Sequence, residues 1–168
     1  ANVGFFTLLA SRLIGTAGRV HAFEPLPRNL YFLERHVRLN ELTNVSVEAL
    51  AVAATSGEAH FRTAPHASMG GLRDDGNLHV TTASLDDLLA SGRIPAPDFI
   101  KMDIEGAEGA ALRGSARLLS GTALTIVLST HGYQQNELCW EILKRAGFRL
   151  ELLRDGTADG DYLILATK

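Results

Sequence analysis

The sequence is poor in cysteine and lacks long apolar segments. Cys139 is the single cysteine among 168 residues, so no disulfide can form within the chain, which suits a reducing compartment. Apolar runs stay shorter than the roughly 18 residues that a membrane-spanning helix needs, and no charged segment precedes a signal-type apolar stretch. We therefore expect a cytoplasmic protein that does not insert into a membrane.

An excess of positive charge is also absent. The formal net charge is −3, and the densest basic segment is the pair Lys144–Arg145. Proteins that bind nucleic acids present a basic patch or stripe, so we expect no nucleic-acid partner. Hydrophobic residues make up 46% of the chain and charged residues 21%, which is ordinary for a globular protein. These totals predict a single folded domain over residues 1–168 and leave its oligomeric state open.

Strand and helix patterns alternate along the chain. Short apolar runs typical of buried strands occupy residues 19–23, 44–50, 98–102 and 123–129. Between such runs, apolar residues recur at helical spacing, as Phe6, Leu9 and Leu13 do. A second helical pattern covers residues 107–119, and Ser84 is placed as the cap of a short helix over 85–89. The alternation predicts an α/β fold with a mostly parallel sheet.

Two segments depart from this alternation. The last two strand patterns, 148–153 and 161–167, are separated by only about seven residues, too few for a parallel crossover. They are therefore expected to form an antiparallel hairpin at the carboxyl end of the chain. Residues 51–84 contain the turn signals Gly70-Gly71 and Asp74-Asp75-Gly76, and we interpret this stretch as an inserted hairpin or flap, whose glycines could act as hinges around Ser68–Gly71.

The first candidate site lies at the amino end. Asn2 and Gly4 directly precede a helix pattern, where backbone N–H groups favour anionic or polar ligand groups and a glycine allows close approach. Glu24 follows Gly4 by twenty residues and ends the strand pattern 19–23, a position at which an acid accepts hydrogen bonds from ribose hydroxyls. The alternatives are a frayed terminus with Asn2 as helix cap, and a Glu24 that merely caps the helix after Pro25.

The second candidate site follows two later strands. Asp103 comes directly after the strand pattern 98–102, and Glu105 and Glu108 are expected on one face of the next helix. His131 follows the pattern 123–129 and is a natural proton acceptor. We predict a catalytic role for Asp103, His131 and Glu105, in that order, and a structural role for Glu108. Acids that only complement a helix dipole, and a histidine that only faces solvent, are the alternatives.

Spacing typical of a metal site is missing. The other histidines do not pair with one another or with Cys139 at metal-ligand spacing, and they are His21, His36, His60, His66 and His79. We therefore expect no dedicated metal site. A metal-assisted reaction that uses Asp103 with other acids stays open.

Three segments in order carry a family resemblance. They are ANVGFFTLLASRLIGTAGRVHAFEPLPRNLYFLERHVRLNELTNV, SLDDLL and DFIKMDIEGAEGAALRGSARLL. Together they resemble the FkbM-type methyltransferases. The resemblance implies a Rossmann-like class I methyltransferase fold, S-adenosyl-L-methionine as cofactor, and methyl transfer to a hydroxyl oxygen of a small-molecule acceptor such as a sugar. It places the cofactor beside Asn2, Val3, Gly4, Glu24, Pro25, Leu50 and Ala51.

The chain departs from the family pattern in two places. Family members begin this region with an acid, a variable residue and Gly-Ala-Asn-x-Gly-Phe, whereas here only Ala-Asn-Val-Gly-Phe is present. Ser129 stands where family members often carry Glu. The strand that precedes the loop in the family would lie between the strands at 19–23 and 98–102, so we expect this chain to be a fragment of a longer gene product.

Two other functions remain possible from the residues alone. In a nicotinamide-dependent oxidoreductase, Glu24 would accept hydrogen bonds from the ribose hydroxyls of the nicotinamide cofactor in the same way. The expected terminal hairpin and the lack of room for a second nucleotide-binding half count against it. A non-catalytic Rossmann-like binding domain is the other alternative.

Overall fold

The computed structural model describes residues 1–63, 70–121, 123–156 and 160–168. The helices are α1 (Phe5–Ile14), α2 (Pro27–Leu39), α3 (Leu85–Ala90), α4 (Glu108–Arg113), α5 (Ala116–Ser120) and α6 (Tyr133–Arg145). The strands are β1 (Val20–Phe23), β2 (Val45–Glu48), β3 (Ala51–Val52), β4 (Gly57–Arg62), β5 (Gly71–Leu72), β6 (Leu78–Ala83), β7 (Phe99–Met102), β8 (Thr125–His131), β9 (Arg149–Arg154) and β10 (Asp161–Thr167). None of the helices in the described ranges is long and apolar enough to cross a membrane.

The strands form two groups that carry the candidate sites. β1 and β2 are parallel neighbours, and a four-stranded sheet has the order β7-β8-β10-β9. β7 and β8 are parallel, whereas β10 runs antiparallel to both β8 and β9. The predicted terminal hairpin is therefore confirmed. Among the described residues, β1 pairs only with β2 and β7 only with β8, so each has an edge without a strand partner.

The main core lies between the four-stranded sheet and helices α4 and α6. Alternating residues of β8 and β10 point into it, and the fully buried side chains include Leu112, Ile126, Leu128, Leu143 and Ile164. Burial of each such side chain stabilises the fold by about 1.5–3 kcal/mol before entropy is subtracted. Cys139 is also fully buried in this core, and burial raises the pKa of its thiol to about 12. The cysteine is therefore a packing residue.

The segment between β2 and α3 builds a small separate sheet. Its order is β3-β6-β4-β5, in which β3 and β6 are parallel and the other pairs are antiparallel. The expected insertion is therefore a hairpin-based unit. It reaches the second candidate site, because a Cβ atom added to Gly71 would lie 2.9 Å from the carbonyl oxygen of Glu105. Ser68 and Met69, half of the expected hinge, fall outside the described residues.

Helix α1 is correctly predicted, but its apolar stripe faces solvent and not the protein core. Phe6, Leu9 and Leu13 are 51%, 45% and 77% exposed, whereas the polar Thr7 and Ser11 are buried. The polar face is held inward by Asn44, whose side chain bonds to the hydroxyl and the carbonyl of Ser11 at 2.5 and 3.2 Å.

Two other boundaries differ from the prediction. The strand pattern 44–50 ends at Glu48, because the chain turns there and Ala51 pairs with β6 instead. The single helix expected over 107–119 is two helices, α4 and α5, separated at Gly114 and Ser115. Gly114 packs so closely on the backbone of the insertion that an added Cβ would lie 2.3 Å from the carbonyl oxygen of Ala53. A continuous helix would not permit this approach.

Candidate active site

The amino-terminal loop lies against the carboxyl end of β1. Asn2 and Gly4 both have left-handed backbones, with φ of 54° and 104°. Gly4 also packs closely on α2, since an added Cβ would lie 2.8 Å from the side chain of Leu33. The left-handed φ and the close packing both require glycine at this position. Asn2 does not cap α1, because the cap residue is Gly4 and the Asn2 side chain accepts a bond from the Val3 amide instead.

Glu24 is a buried carboxylate at the end of β1, only 5% exposed. One oxygen, Oε1, accepts hydrogen bonds from the Leu26 amide at 3.1 Å and the Asn29 side chain at 3.2 Å. The other, Oε2, accepts from the Asn2 amide at 2.7 Å and the Ala1 nitrogen at 3.1 Å. Oε1 is therefore held by residues at the start of α2, whereas Oε2 faces the amino-terminal loop.

Four further residues were predicted to contact the cofactor, namely Val3, Pro25, Leu50 and Ala51. Val3 in the amino-terminal loop is exposed, and Pro25, which follows Glu24 in the chain, is partly exposed. Leu50 and Ala51 are buried, at 1% and 7% exposure, and their side chains belong to the hydrophobic clusters below the insertion. The roles of all four stay predictions.

The loop after β7 holds two of the predicted catalytic acids. Asp103 follows Met102, the last residue of β7, and its Oδ2 lies 2.7 Å from the Lys101 ammonium. Glu105 was expected in the next helix but precedes it, in a turn where Glu105 and Gly106 have φ of 57° and 94°. A left-handed backbone at a non-glycine residue costs free energy and is frequent at functional sites.

Glu108 is the organising residue of this loop. It is completely buried, and its Oε1 accepts hydrogen bonds from the amides of Ile104 and Gly106, both at 3.1 Å. His131 Nδ1 lies 3.0 Å from the same oxygen. Burial alone raises the pKa of Glu108, but the bonds from His131 and the backbone outweigh it and hold the pKa below its usual value.

His131 ends β8 and brings the acids together. Its Nε2 lies 3.5 Å from Asp103 Oδ1 and 3.6 Å from Glu105 Oε2. The hydrogen bond to Glu108 raises the pKa of His131 to about 9, although burial acts in the opposite direction. A pKa of about 9 keeps the ring protonated at neutral pH, so His131 is not a ready proton acceptor there. Burial raises the pKa of Glu105.

The structure therefore brings Asp103, Glu105 and His131 into one cluster, whereas their sequence spacing shows only that each follows a strand. Sequence reasoning missed the part played by Glu108, although its distance of three residues from Glu105 was noted. It also missed Lys101, which lies within the motif that begins at residue 98, and Asp161, whose Oδ1 lies 3.9 Å from His131 Nε2. Lys101 connects the two sites, because its ammonium lies 4.3 Å from the Phe6 ring of α1 as well as 2.7 Å from Asp103.

This arrangement has the components for proton transfer at a bound hydroxyl group. The loop carboxylates are one-third exposed and accessible from solvent, whereas Glu108 behind them is not. Parallel strands present ligands at their carboxyl ends, and Glu24, Asp103 and His131 all stand at such ends.

Comparison with known proteins identifies relatives with this fold. The chain is 26% identical over 166 residues to the hexuronic acid methyltransferase AglP of Haloferax volcanii, covering 98% of this chain and 66% of that protein. The methyltransferase FkbM of Methylobacillus flagellatus superposes with a TM-score of 0.66 at 23% identity, over 99% of this chain and 42% of that one. The precorrin-6y C5,15-methyltransferase of Geobacter metallireducens superposes with a TM-score of 0.65 at 19% identity, over 99% of this chain and 75% of that one.

The chain thus spans about two thirds of AglP and less than half of the Methylobacillus protein. The structural matches confirm the predicted Rossmann-like fold of class I methyltransferases. The family model of the methyltransferase FkbM domain matches residues 1–150, which include both candidate sites. The chain therefore belongs to the FkbM methyltransferase family, as its motifs predicted.

Proposed function

We propose that this chain forms the catalytic domain of an S-adenosyl-L-methionine-dependent O-methyltransferase that acts on a sugar hydroxyl. The observation that carries the proposal is the family match over residues 1–150, which includes the acid at the end of β1 and the acid–histidine cluster at the ends of β7 and β8. The same match disfavours the nicotinamide-dependent oxidoreductase and the non-catalytic binding domain.

The residues at the end of β1 fit the methyl donor. Glu24 offers a buried carboxylate whose Oε1 is held in place by Leu26 and Asn29. Ribose hydroxyls would bond to Oε2, in place of the Ala1 and Asn2 donors that it now accepts. Gly4 supplies the left-handed backbone that turns this loop into α1 beside Leu33 of α2. When bound, the donor supplies an activated methyl group on a sulfonium.

The cluster after β7 and β8 supports removal of the hydroxyl proton. Methyl transfer needs the acceptor oxygen, the methyl group and sulfur in line, and the attacking hydroxyl must lose its proton. Asp103 Oδ1 and Glu105 face the same space beside His131, whereas Asp103 Oδ2 is engaged by Lys101. We assign the proton to these carboxylates, with His131 and Glu108 as the groups that position them.

Two observations support a class of acceptor: the similarity to the hexuronic acid methyltransferase AglP, and the position of Arg73. Arg73 directly follows β5 of the insertion, and its guanidinium lies beside Gly106 in the loop after β7. Its guanidinium is placed to pair with a carboxylate, which a hexuronic acid carries and a neutral hexose does not. An acidic sugar is therefore the acceptor class that we propose.

Methyl transfer by the intact protein tests this function. With S-adenosyl-L-methionine and a hexuronic acid glycoside, we expect S-adenosylhomocysteine to form, and Glu105→Gln to lower kcat by about 100-fold, as loss of a general base does. Asp155→Asn, an exposed acid outside the cluster, is the matched control and should keep kcat. Equal turnover of Glu105→Gln and the intact protein would remove Glu105 from the mechanism, and a product from the neutral hexose alone would reject the acidic sugar.

A further inference from the structure

The cluster around His131 holds more negative charge than its protein cations balance. Carboxylate oxygens of Asp103, Glu105 and Asp161 lie 3.5, 3.6 and 3.9 Å from Nε2, and Glu108 lies 3.0 Å from Nδ1. Against these four acids stand His131 itself and Lys101. Buried and half-buried carboxylates at such distances repel one another unless a cation lies between them.

The distances from His131 Nε2 do not describe direct hydrogen bonds. A separation of 3.5 or 3.6 Å between nitrogen and oxygen is too long for a good bond between a ring N–H and a carboxylate. It does match the spacing of ligands around one ion. Nitrogen and oxygen ligands at about 2.1 Å from a tetrahedral zinc ion lie about 3.4 Å from each other. The three facing atoms of Asp103, Glu105 and His131 all lie within 4.8 Å of one another.

The groups behind these atoms are arranged as the supporting residues of a metal site. A metal-binding histidine usually donates its second ring N–H to a carboxylate, which fixes the tautomer that turns the other nitrogen to the metal. His131 Nδ1 meets Glu108 in this way, and Glu108 is fixed by the amides of Ile104 and Gly106. Asp103 is held through its other oxygen by Lys101.

Glu108 adds an independent observation. Its side chain is completely buried, and its second oxygen, Oε2, has no hydrogen-bond partner among the residues that the structure describes. A buried carboxylate with an unpartnered oxygen costs substantial free energy unless positive charge is close. Hydrogen bonds to Oε1 from a neutral loop do not supply that charge, whereas a cation at His131, which contacts Oε1, would.

We propose that Asp103, Glu105 and His131 bind a divalent transition-metal ion, for which Zn²⁺ is the best geometric match. One imidazole and two carboxylates suit Zn²⁺ or Mn²⁺ better than Mg²⁺, which prefers oxygen ligands and keeps several waters. The ligands come from the ends of two adjacent parallel strands, so one ion would fix the catalytic loop against β8. The open side of the ion faces solvent, because the three ligand residues are one-fifth to one-third exposed.

The site itself does not depend on the proposed function, but its role in catalysis does. A metal ion lowers the pKa of an oxygen that it binds. In the metal-loaded protein Asp103 and Glu105 would act as ligands instead of accepting the proton directly. A sugar hydroxyl bound to the ion would then release its proton to solvent and attack the methyl carbon as an alkoxide. The new bond joins that oxygen to the methyl carbon, and the carbon–sulfur bond breaks to leave a neutral thioether.

Direct metal binding tests the proposal without any need for activity. The intact protein, stripped with a chelator and free of any affinity tag, is titrated with Zn²⁺ in competition with a chromophoric chelator, and separately with Mg²⁺. We expect one Zn²⁺ per chain, bound at least 100-fold more tightly than Mg²⁺. Asp103→Asn and His131→Ala should weaken Zn²⁺ binding by 100-fold or more, and Glu108→Gln by 10–100-fold, as for other supporting carboxylates.

Two controls separate this site from others. Asp161→Asn removes an acid that lies near His131 but outside the ligand set, and it should retain Zn²⁺ within about threefold. His60 and His79 stack across β4 and β6 with ring centroids 4.2 Å apart, so His60→Ala removes the competing surface pair. Absence of Zn²⁺ binding, or binding that His60→Ala abolishes and His131→Ala does not, would overturn the proposal. A titration with S-adenosyl-L-methionine on the same samples reports separately on the proposed function.

Discussion

At the scale of single residues, Glu108 has the largest predicted effect on stability. Its carboxylate is the acceptor for two loop amides and for His131, in a position without solvent access. Glu108→Ala would leave these donors unpaired, and we expect it to lower the free energy of unfolding by about 3 kcal/mol. Urea denaturation of the intact protein measures this. Glu137→Ala, an exposed acid on α6, should change stability by less than about 0.5 kcal/mol. Equal effects of the two substitutions would contradict the role given to Glu108.

The same residues show what the sequence could and could not predict at this scale. Glu24, Asp103 and His131 were identified because each follows a strand pattern, and position along a strand is local information. The roles within the cluster depend on a left-handed turn at Glu105 and Gly106 and on contacts across 23 residues between Glu108 and His131. Neither the left-handed turn nor the long-range contact produces a periodic pattern in the sequence. For that reason Glu108 was predicted to be only structural and Glu105 was placed in a helix.

At the scale of elements, α3 depends on one capping residue. The Ser84 hydroxyl accepts a hydrogen bond from the Asp87 amide at 3.1 Å, which confirms the predicted cap. Because α3 has only six residues, this bond is a large part of its stability. Ser84→Ala should destabilise the protein by about 1 kcal/mol, and Ser84→Gly by only a few tenths, since glycine is itself a tolerated cap. Thermal or urea unfolding of both variants distinguishes them; an alanine variant as stable as the glycine variant would show that the cap does not contribute.

Elements were predicted well where local signals decide and poorly where packing decides. The terminal hairpin followed from loop length, and α3 from its cap. The break between α4 and α5 follows from the contact of Gly114 with the Ala53 backbone, and the orientation of α1 from the bonds of Asn44 to Ser11. Both are contacts between distant segments, which helical periodicity does not record.

At the scale of the whole molecule, the two candidate sites meet through the start of α1. Lys101 contacts both Phe6 and Asp103, so the amino-terminal loop and the acidic cluster lie at the same carboxyl edge of the strands. This is where open α/β folds bind ligands, and it is the geometry that a methyl donor and a hydroxyl acceptor require. Phe6, which contacts Lys101, is one of the exposed apolar residues of α1, together with Phe5 and Leu9.

The most direct test of the central claim is calorimetry of the intact protein with S-adenosyl-L-methionine, compared with NAD. We predict one donor molecule bound per chain with a micromolar dissociation constant, and no heat from NAD. Glu24→Gln should weaken donor binding at least tenfold, because it removes the charged acceptor for the ribose hydroxyls, while Glu34→Gln on the exposed face of α2 should not. Circular dichroism confirms that both variants fold. Donor binding that survives Glu24→Gln unchanged, or binding of NAD in place of the methyl donor, would contradict the assignment of this site.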